Sequence, residues 1–350
     1  MTRKLFIILL FFSLFKVGYA AQPLKVLAIG NSFSEDATEQ DLSAMAALGG
    51  HDIIIGNLYY PACSIERHWN NLTNDRGDYS FRKIYTDGRA DTISNCTLTR
   101  ALREEAWDII TFQQGSAVSG IYSSYRYLPA LIKRVRQIVG NHPKFLWHQT
   151  WAYAPTSSHP GFKKYSSDQI RMYAAILYCT KRVLADNPEL KGLIPTGTAI
   201  QDARTSFLGN DLTRDGYHLD FTTGRYIASC TWYGVLFSQP FSIATYLPAG
   251  MTLEEGEVCR KAAQEAIKNP YKIVDINSTR PSNDDKEESP RENWNSSEIK
   301  VANTQFLEMT SQNLVKRKNI EVNVCLDNIK FVTLRRNVSV GSQENVETFV

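Results

Sequence analysis

The sequence predicts an α/β fold, a parallel sheet with helices on both faces. Short apolar runs alternate with longer amphipathic stretches over most of the chain, the order of strands joined by crossover helices. Its 350 residues, 43% hydrophobic and 21% charged, suffice for one large domain with a sizeable core. The same balance excludes a collagenous, coiled-coil or wholly disordered chain.

Taken in order, Leu24-Lys25-Val26-Leu27-Ala28-Ile29 reads as a buried strand ending at Gly30. Asp36 and Glu39 form a capping box for a helix with apolar positions Ala37, Leu42, Met45, Ala46 and Leu48. Strand signals recur at Ile53-Ile54-Ile55, Ile109-Ile110-Thr111-Phe112, Phe145-Leu146-Trp147 and Leu193-Ile194. Helical periods lie near Leu128 to Val139, Ile170 to Leu184 and Tyr226 to Phe237. Ligands of such sheets sit beyond the carboxyl ends of the strands, so residues that carry chemistry are expected directly after strands. This organisation assigns residues 22–275 to one domain. The composition then shifts: residues 276–300 read as a polar linker rich in Ser, Asn, Asp, Glu and Pro. In the tail, residues 301–350, Ile320-Glu321-Val322-Asn323-Val324 alternates and pairs with Ile329-Lys330-Phe331-Val332 across Asp327-Asn328 as a small hairpin. A disordered tail is the alternative, because a lone hairpin is marginal in water.

The first 21 residues read as a secretory signal, with an uncleaved anchor as the alternative: Arg3 and Lys4, an apolar run from Leu5 to Phe12, then Gly18, Ala20 and Ala21. A secreted or periplasmic protein is expected, with cleavage after Ala20 or Ala21. No other apolar stretch approaches the ~18 residues of a membrane span, so no stable membrane insertion is expected after cleavage. A formal net charge of +3, with no basic stripe interleaved with aromatics, gives no case for a nucleic-acid partner. The six cysteines, Cys63, Cys96, Cys179, Cys230, Cys259 and Cys325, permit disulfides without selecting any pairing. Neither they nor the six scattered histidines have metal-site spacing, so no metal and no organic cofactor is expected.

Two motifs carry chemistry. Gly30-Asn31-Ser32-Phe33-Ser34 falls where the first strand hands over to the first helix. A nucleophile needs exposure and backbone N–H groups for a developing oxyanion, and such a turn supplies both. Gly30 permits a tight turn and close approach of substrate. Alternatively, Ser32 or Ser34 merely caps the helix. The second motif is Asp215-Gly216-Tyr217-His218-Leu219. An Asp and a His three apart on a turn can meet, which fixes the imidazole tautomer and frees the other nitrogen as a base toward a serine hydroxyl. A neutral imidazole base implies activity that falls as pH drops below about 6.5, the ordinary histidine value.

Together these blocks resemble the GDSL, or SGNH, hydrolase superfamily, in particular a secreted bacterial subgroup of it. The resemblance runs from Leu24 to Phe237 and includes Cys63-Ser64-Ile65-Glu66-Arg67-His68-Trp69 and Gln149-Thr150-Trp151-Ala152-Tyr153. It implies a flavodoxin-like three-layer α/β/α sandwich and serine esterase chemistry, with Ser32 as nucleophile, His218 as base and Asp215 as its orienter. It also implies glycan-linked esters as substrates. Two family blocks depart from the pattern. Where the family offers a Gly whose N–H joins the oxyanion hole, this chain has Tyr59-Tyr60-Pro61-Ala62-Cys63. Ala62 can supply that amide and Pro61 cannot. Where the family offers an Asn side chain, this chain has Gln113-Gln114-Gly115-Ser116. Gln114 is the candidate donor there and Gln113 the alternative. The expected oxyanion hole is therefore Ser32, Ala62 and Gln114.

Aromatic faces stack on sugar rings, so Trp69, Trp151 and Tyr217, with Gln113, are the candidate substrate contacts. Trp147 is read as core, and His68 and His148 as structural. The expected function is hydrolysis of an acyl ester, acetyl first, on a small-molecule or glycan substrate. The alternatives are an esterase or lipase on non-carbohydrate esters, and a non-catalytic glycan-binding module on the same fold.

Overall fold

The computed structural model describes residues 22–242 and 246–276, and the backbone of 320–324, 332–336 and 347–349. The expected signal, residues 1–21, and nearly all of the expected linker lie outside the described residues. Seven strands form the central sheet: β1 (Leu24–Gly30), β2 (Ile53–Tyr59), β3 (Tyr79–Ile84), β4 (Ala90–Cys96), β5 (Ile109–Phe112), β6 (Lys144–His148) and β7 (Leu190–Ile194). Their order is β4-β3-β2-β1-β5-β6-β7. The run β2-β1-β5-β6-β7 is parallel, which is the flavodoxin-like order, and the strand order reverses between β1 and β5.

The parallel strands are the five apolar runs of the sequence. β3 and β4 extend the sheet antiparallel beyond β2, and the apolar-run pattern does not mark them. β3 alternates, burying Tyr79 and Phe81 between half-buried Ser80 and Arg82. β4 is a mostly exposed edge strand carrying Asp91, Thr92 and Asn95, polar residues that discourage pairing with another chain.

Nine helices follow among the described residues: α1 (Ser32–Thr38), α2 (Leu42–Leu48), α3 (Ile65–Thr73), α4 (Leu98–Arg103), α5 (Leu128–Val139), α6 (Gln169–Asp186), α7 (Thr196–Ala203), α8 (Thr223–Phe237) and α9 (Leu253–Lys268). α1, α2, α7, α8 and α9 contact one another in one layer, and α3, α4 and α5 in another. The capping box expected at Asp36 and Glu39 does not form. The helix starts earlier, with Asn31 as its cap: Asn31 Oδ1 accepts from Phe33 N at 2.9 Å, and Ser34 Oγ accepts from Asn31 N at 3.1 Å. Asp36 lies inside α1, drawn into the interior by ion pairs, and Glu39 ends that helix. The apolar run then resumes as α2, which buries Leu42, Met45 and Ala46. Leu48 is exposed, since six residues beyond Leu42 it falls off that face.

The packed domain extends past its expected limit. Ile276, the first residue of the expected linker, is buried and donates its N–H to Thr205 Oγ1 at 2.8 Å. In the tail, β8 (Ile320–Val324), β9 (Val332–Arg336) and β10 (Glu347–Phe349) form an antiparallel sheet in the order β10-β9-β8. Val324 pairs with Val332 and Ile320 with Arg336, so Val332 opens the second strand instead of closing it. The expected turn at Asp327-Asn328 lies outside the described residues. Cys63, Cys96, Cys179, Cys230 and Cys259 are buried free thiols. No helix among the described residues is long and apolar enough to cross a membrane.

Two buried histidines make the fold sensitive to acid. His68 Nδ1 lies 3.0 Å from the Tyr79 hydroxyl. His148 is bonded through both ring nitrogens, to Gln113 Oε1 at 2.8 Å and Thr196 Oγ1 at 3.1 Å. Burial pushes each imidazole down to about 3. Both values lie below the ordinary histidine value, so the unfolded chain takes up protons first as the pH falls. The stability these groups contribute is complete above about pH 6.5 and is lost toward pH 3, at about 3 kcal/mol per pH unit for the pair. His148→Gln is expected to remove about half of that slope, read from urea midpoints between roughly pH 7 and 5. An unchanged slope would mean that native His148 already takes up a proton in this range.

Candidate active site

Ser32 follows β1 directly, at the strand-order reversal, as the first residue of α1. Asn31 and Ser34 cap that helix between them, so the Ser32 side chain has no capping role. Gly30 is required for this arrangement. A Cβ there would stand 2.2 Å from Ser34 Oγ and 3.2 Å from Gln113 Cδ, so the space next to Gly30 belongs to the protein's own side chains rather than to substrate.

The loop between β-bridge partners Thr213 and Leu219 brings His218 to this serine. Asp215 Oδ1 accepts the N–H groups of Tyr217 at 3.1 Å and His218 at 2.7 Å, which folds the turn. Its Oδ2 lies 2.6 Å from His218 Nδ1. A carboxylate only accepts, so Nδ1 carries the proton and Nε2 is left as the acceptor. Ser32 Oγ lies 2.9 Å from that Nε2 and can donate to it. Desolvation pushes the Asp215 carboxyl up, but the hydrogen bonds from His218 and Tyr217 outweigh it and hold the group below its ordinary value. Gly216 takes φ +85°, and a Cβ on it would stand 2.7 Å from Ser157 Cα.

Asp36 fastens this loop to the helix that carries Ser32. Its side chain is wholly buried; Oδ1 meets Arg214 at 3.0 Å and Arg225 at 2.7 Å. Oδ2 accepts from Leu219 N at 2.9 Å. Burial pushes this carboxyl up, against the pull of Arg225 and then Arg214. One turn of α1 thus separates the serine from the anchor of the histidine loop. The sequence reading assigned Asp36 to a helix cap; its spacing of four from Ser32 was the available signal.

A buried hydrogen-bonded chain positions the turn from behind. Asn31 Nδ2 donates to Cys63 O at 3.0 Å, and Gln113 Nε2 donates to Asn31 Oδ1 at 2.7 Å. Gln113 Oε1 then accepts from His148 Nδ1, and His148 Nε2 accepts from Thr196 Oγ1. Gln113 is 1% exposed, so it holds Asn31 and does not contact substrate as expected. The expected oxyanion role of Gln114 also fails. Gln114 is wholly buried, and its Nε2 donates to Ser124 O at 3.1 Å and Ser124 Oγ at 3.0 Å, spending both amide hydrogens. Its Oε1 accepts from Ile65 N and Gly115 N, both within 2.9 Å. Gln114 therefore ties loops together.

Ala62 lies in the turn after β2, next to the Cys63 carbonyl held by Asn31. Its φ of +51° is left-handed backbone that glycine adopts freely and alanine at a cost. Among the described hydrogen bonds no protein acceptor takes the Ser32 or the Ala62 N–H, so these two amides are left without a protein partner there.

Trp151 is completely buried. Its ring stacks on Phe33 at 3.9 Å, and its Nε1 donates to Tyr217 O at 2.8 Å. It packs the histidine loop against α1 and offers no face to a sugar, contrary to expectation. Trp69 is partly buried and stacks on Tyr127 at 6.2 Å; no described contact joins it to Ser32 or His218. Tyr217 does reach the site: its ring centroid is 4.1 Å from that of His218. The sequence reading missed His159, whose ring is 4.8 Å from Tyr217 and 4.9 Å from Tyr153. Its position after β6 was the signal for it. Among the described residues no three of His, Cys, Asp and Glu gather as a metal site. A cavity of about 670 Å³ between α8 and α9, with Cys230, Phe241 and Ile267 among its walls, is lined by none of Ser32, Asp215, His218, Tyr217 and His159.

No functionally curated protein matches the chain. The crystal structure of a DUF4886 family protein from Bacteroides uniformis is 42% identical, with a TM-score of 0.71, and the match covers 73% of this chain and 98% of that one. The structure of an acetyl xylan esterase is 15% identical, with a TM-score of 0.38, over 61% of this chain and 100% of that one. A gut microbial diltiazem-metabolizing enzyme is 11% identical, with a TM-score of 0.35, over 60% and 46%. The family model described as a domain of unknown function, DUF4886, matches residues 25–266. The chain belongs to the DUF4886 family.

Proposed function

We propose that this chain is an exported serine esterase that removes an acyl group, acetyl in the first instance, from a carbohydrate. The observation that carries the reading is the line Ser32 Oγ, His218 Nε2, His218 Nδ1, Asp215 Oδ2, with contacts of 2.9 and 2.6 Å. In this mechanism Ser32 Oγ attacks the ester carbonyl as its proton passes to His218 Nε2. The carbonyl oxygen becomes an oxyanion facing the N–H groups of Ser32 and Ala62. The C–O bond to the alcohol breaks, and His218 returns the proton to the leaving alkoxide. Water, deprotonated by His218, then releases the acid and restores Ser32. Asp215 keeps Nδ1 protonated throughout. The resemblance to SGNH hydrolases supports the same roles, and the charged and apolar start of the sequence supports export.

The spent amide of Gln114 favours a second reading, a glycan-binding module that keeps the fold without turnover, because one side-chain donor of the oxyanion hole is missing. One experiment separates the two. The purified chain is assayed on 4-nitrophenyl acetate and treated with a fluorophosphonate, and the adduct is mapped by mass spectrometry. Turnover with a single adduct on Ser32 is expected. Absence of both, with glycan binding retained, would establish the second reading in place of the first.

A further inference from the structure

We propose that His159 and Tyr217 form the subsite for the alcohol half of the ester, with His159 Nε2–H donating to an oxygen of a hydroxylated, ring-shaped alcohol. This rests on the esterase reading above and adds to it which half of the substrate each wall receives. The leaving oxygen must take its proton from His218 Nε2, so the alcohol lies along the imidazole, while the carbonyl oxygen turns toward the Ser32 and Ala62 amides. The wall beside the imidazole is Tyr217, its ring centroid 4.1 Å from that of His218. His159 stands edge-on against Tyr217 at 4.8 Å, with an interplanar angle of 68°. Tyr153 backs both rings, at 4.9 Å from His159 and 5.6 Å from Tyr217, and its hydroxyl is held 2.8 Å from Ser116 Oγ.

The polar ends of the two front rings are unspent. His159 Nδ1 accepts from Gly161 N at 3.0 Å, which leaves the proton on Nε2. Neither that Nε2 nor the Tyr217 hydroxyl has a partner among the described hydrogen bonds, and neither is sealed away as a buried orphan. The segment bearing His159 is fixed to the histidine loop, since Ala154 N donates to Gly216 O at 2.8 Å. Two touching aromatic rings with free polar edges suit an alcohol that combines an apolar ring face with hydroxyl groups. A plain aryl alcohol leaves those donors unanswered.

The test compares kcat/KM for a mono-O-acetyl methyl glucopyranoside and for phenyl acetate. His159→Asn keeps an acceptor for Gly161 N–H at this helix-capping position and removes the Nε2 donor. The ratio of sugar ester to aryl ester is expected to fall about tenfold, mainly through KM, as for loss of one hydrogen bond made before the transition state. His159→Phe keeps a ring against Tyr217 and Tyr153 and is expected to lose as much selectivity. An unchanged ratio in either variant overturns the donor role. A second measurement needs no turnover. In a Ser32→Ala background, His159→Asn is expected to raise the calorimetric Kd for the same sugar acetate about tenfold. Equal Kd values overturn the subsite. Wild type that turns over neither ester, with the tenfold Kd difference intact, would sink the esterase reading and leave the subsite standing.

Discussion

Replacing Ser32 by alanine is expected to lower kcat for acetate-ester hydrolysis by about 10⁶-fold, with the fold preserved. The first half follows from the geometry. Ser32 Oγ is the one hydroxyl that meets His218 Nε2 in the described contacts, at 2.9 Å, and no neighbouring group replaces it as nucleophile. Ser34 is two residues away, but its Oγ is spent on Asn31 O at 2.7 Å and Asn57 Oδ1 at 2.8 Å. The second half follows from the helix. Alanine at this position loses no cap, since Asn31 supplies it, and has the best intrinsic helix propensity. A residual rate above background is expected from the two backbone amides, which the substitution leaves in place. His218→Ala should cost about as much, and the double variant little more, because the pair works as a unit. Equal hydrolysis by wild type and Ser32→Ala would remove Ser32 from the mechanism.

Asp36→Asn is expected to be the most damaging conservative change for stability, by about 3–5 kcal/mol in urea unfolding. The asparagine fills the same volume, so the loss measures charge rather than a cavity. It leaves Arg225, whose side chain is only 10% exposed, without its anion, and Arg214 without its anchor to α1. A typical domain has only about 5–15 kcal/mol of total stability, so the effect is a large fraction of the whole. Activity should fall with it even under conditions where the variant is folded, because the loop carrying Asp215 and His218 is pinned to α1 through this carboxylate. A loss below about 1 kcal/mol would mean that the two guanidiniums find other partners or water.

β1, β2, β5 and β6 were legible because they lie inside the sheet, covered on both faces, and carry continuous apolar runs; β7 is an edge strand with Lys191 exposed, and only its end, Leu193-Ile194, reads as apolar. The β3–β4 extension was not legible. β3 buries alternate residues, and β4 is polar because an exposed edge has no core to face. The Ser32 and Asp215–His218 blocks were legible for a local reason: an N-terminal helix turn and an Asx-type turn are specified by a few adjacent residues. His159, Asp36 and the true roles of Gln113 and Gln114 were not, because a glutamine in a loop after a strand looks the same whether its amide faces a cleft or is spent on Asn31 and Ser124.

Local sequence alone therefore determined the α/β class, the order of the parallel strands along the chain and the two turns that hold the serine, aspartate and histidine. Hydrophobic periodicity and turn chemistry act over a few residues and leave their mark there. Only the tertiary structure decided which polar side chains are free to meet a substrate. That choice is set by burial and by hydrogen bonds between residues far apart in the chain, such as His218 with Ser32, Leu219 with Asp36 and Gln113 with Asn31. Desolvation makes an unpaired buried amide or carboxylate costly, so the fold spends the buried ones on itself. Ser32 and His218 instead meet each other, and beside them Tyr217 and His159 each keep a polar atom without a partner among the described hydrogen bonds.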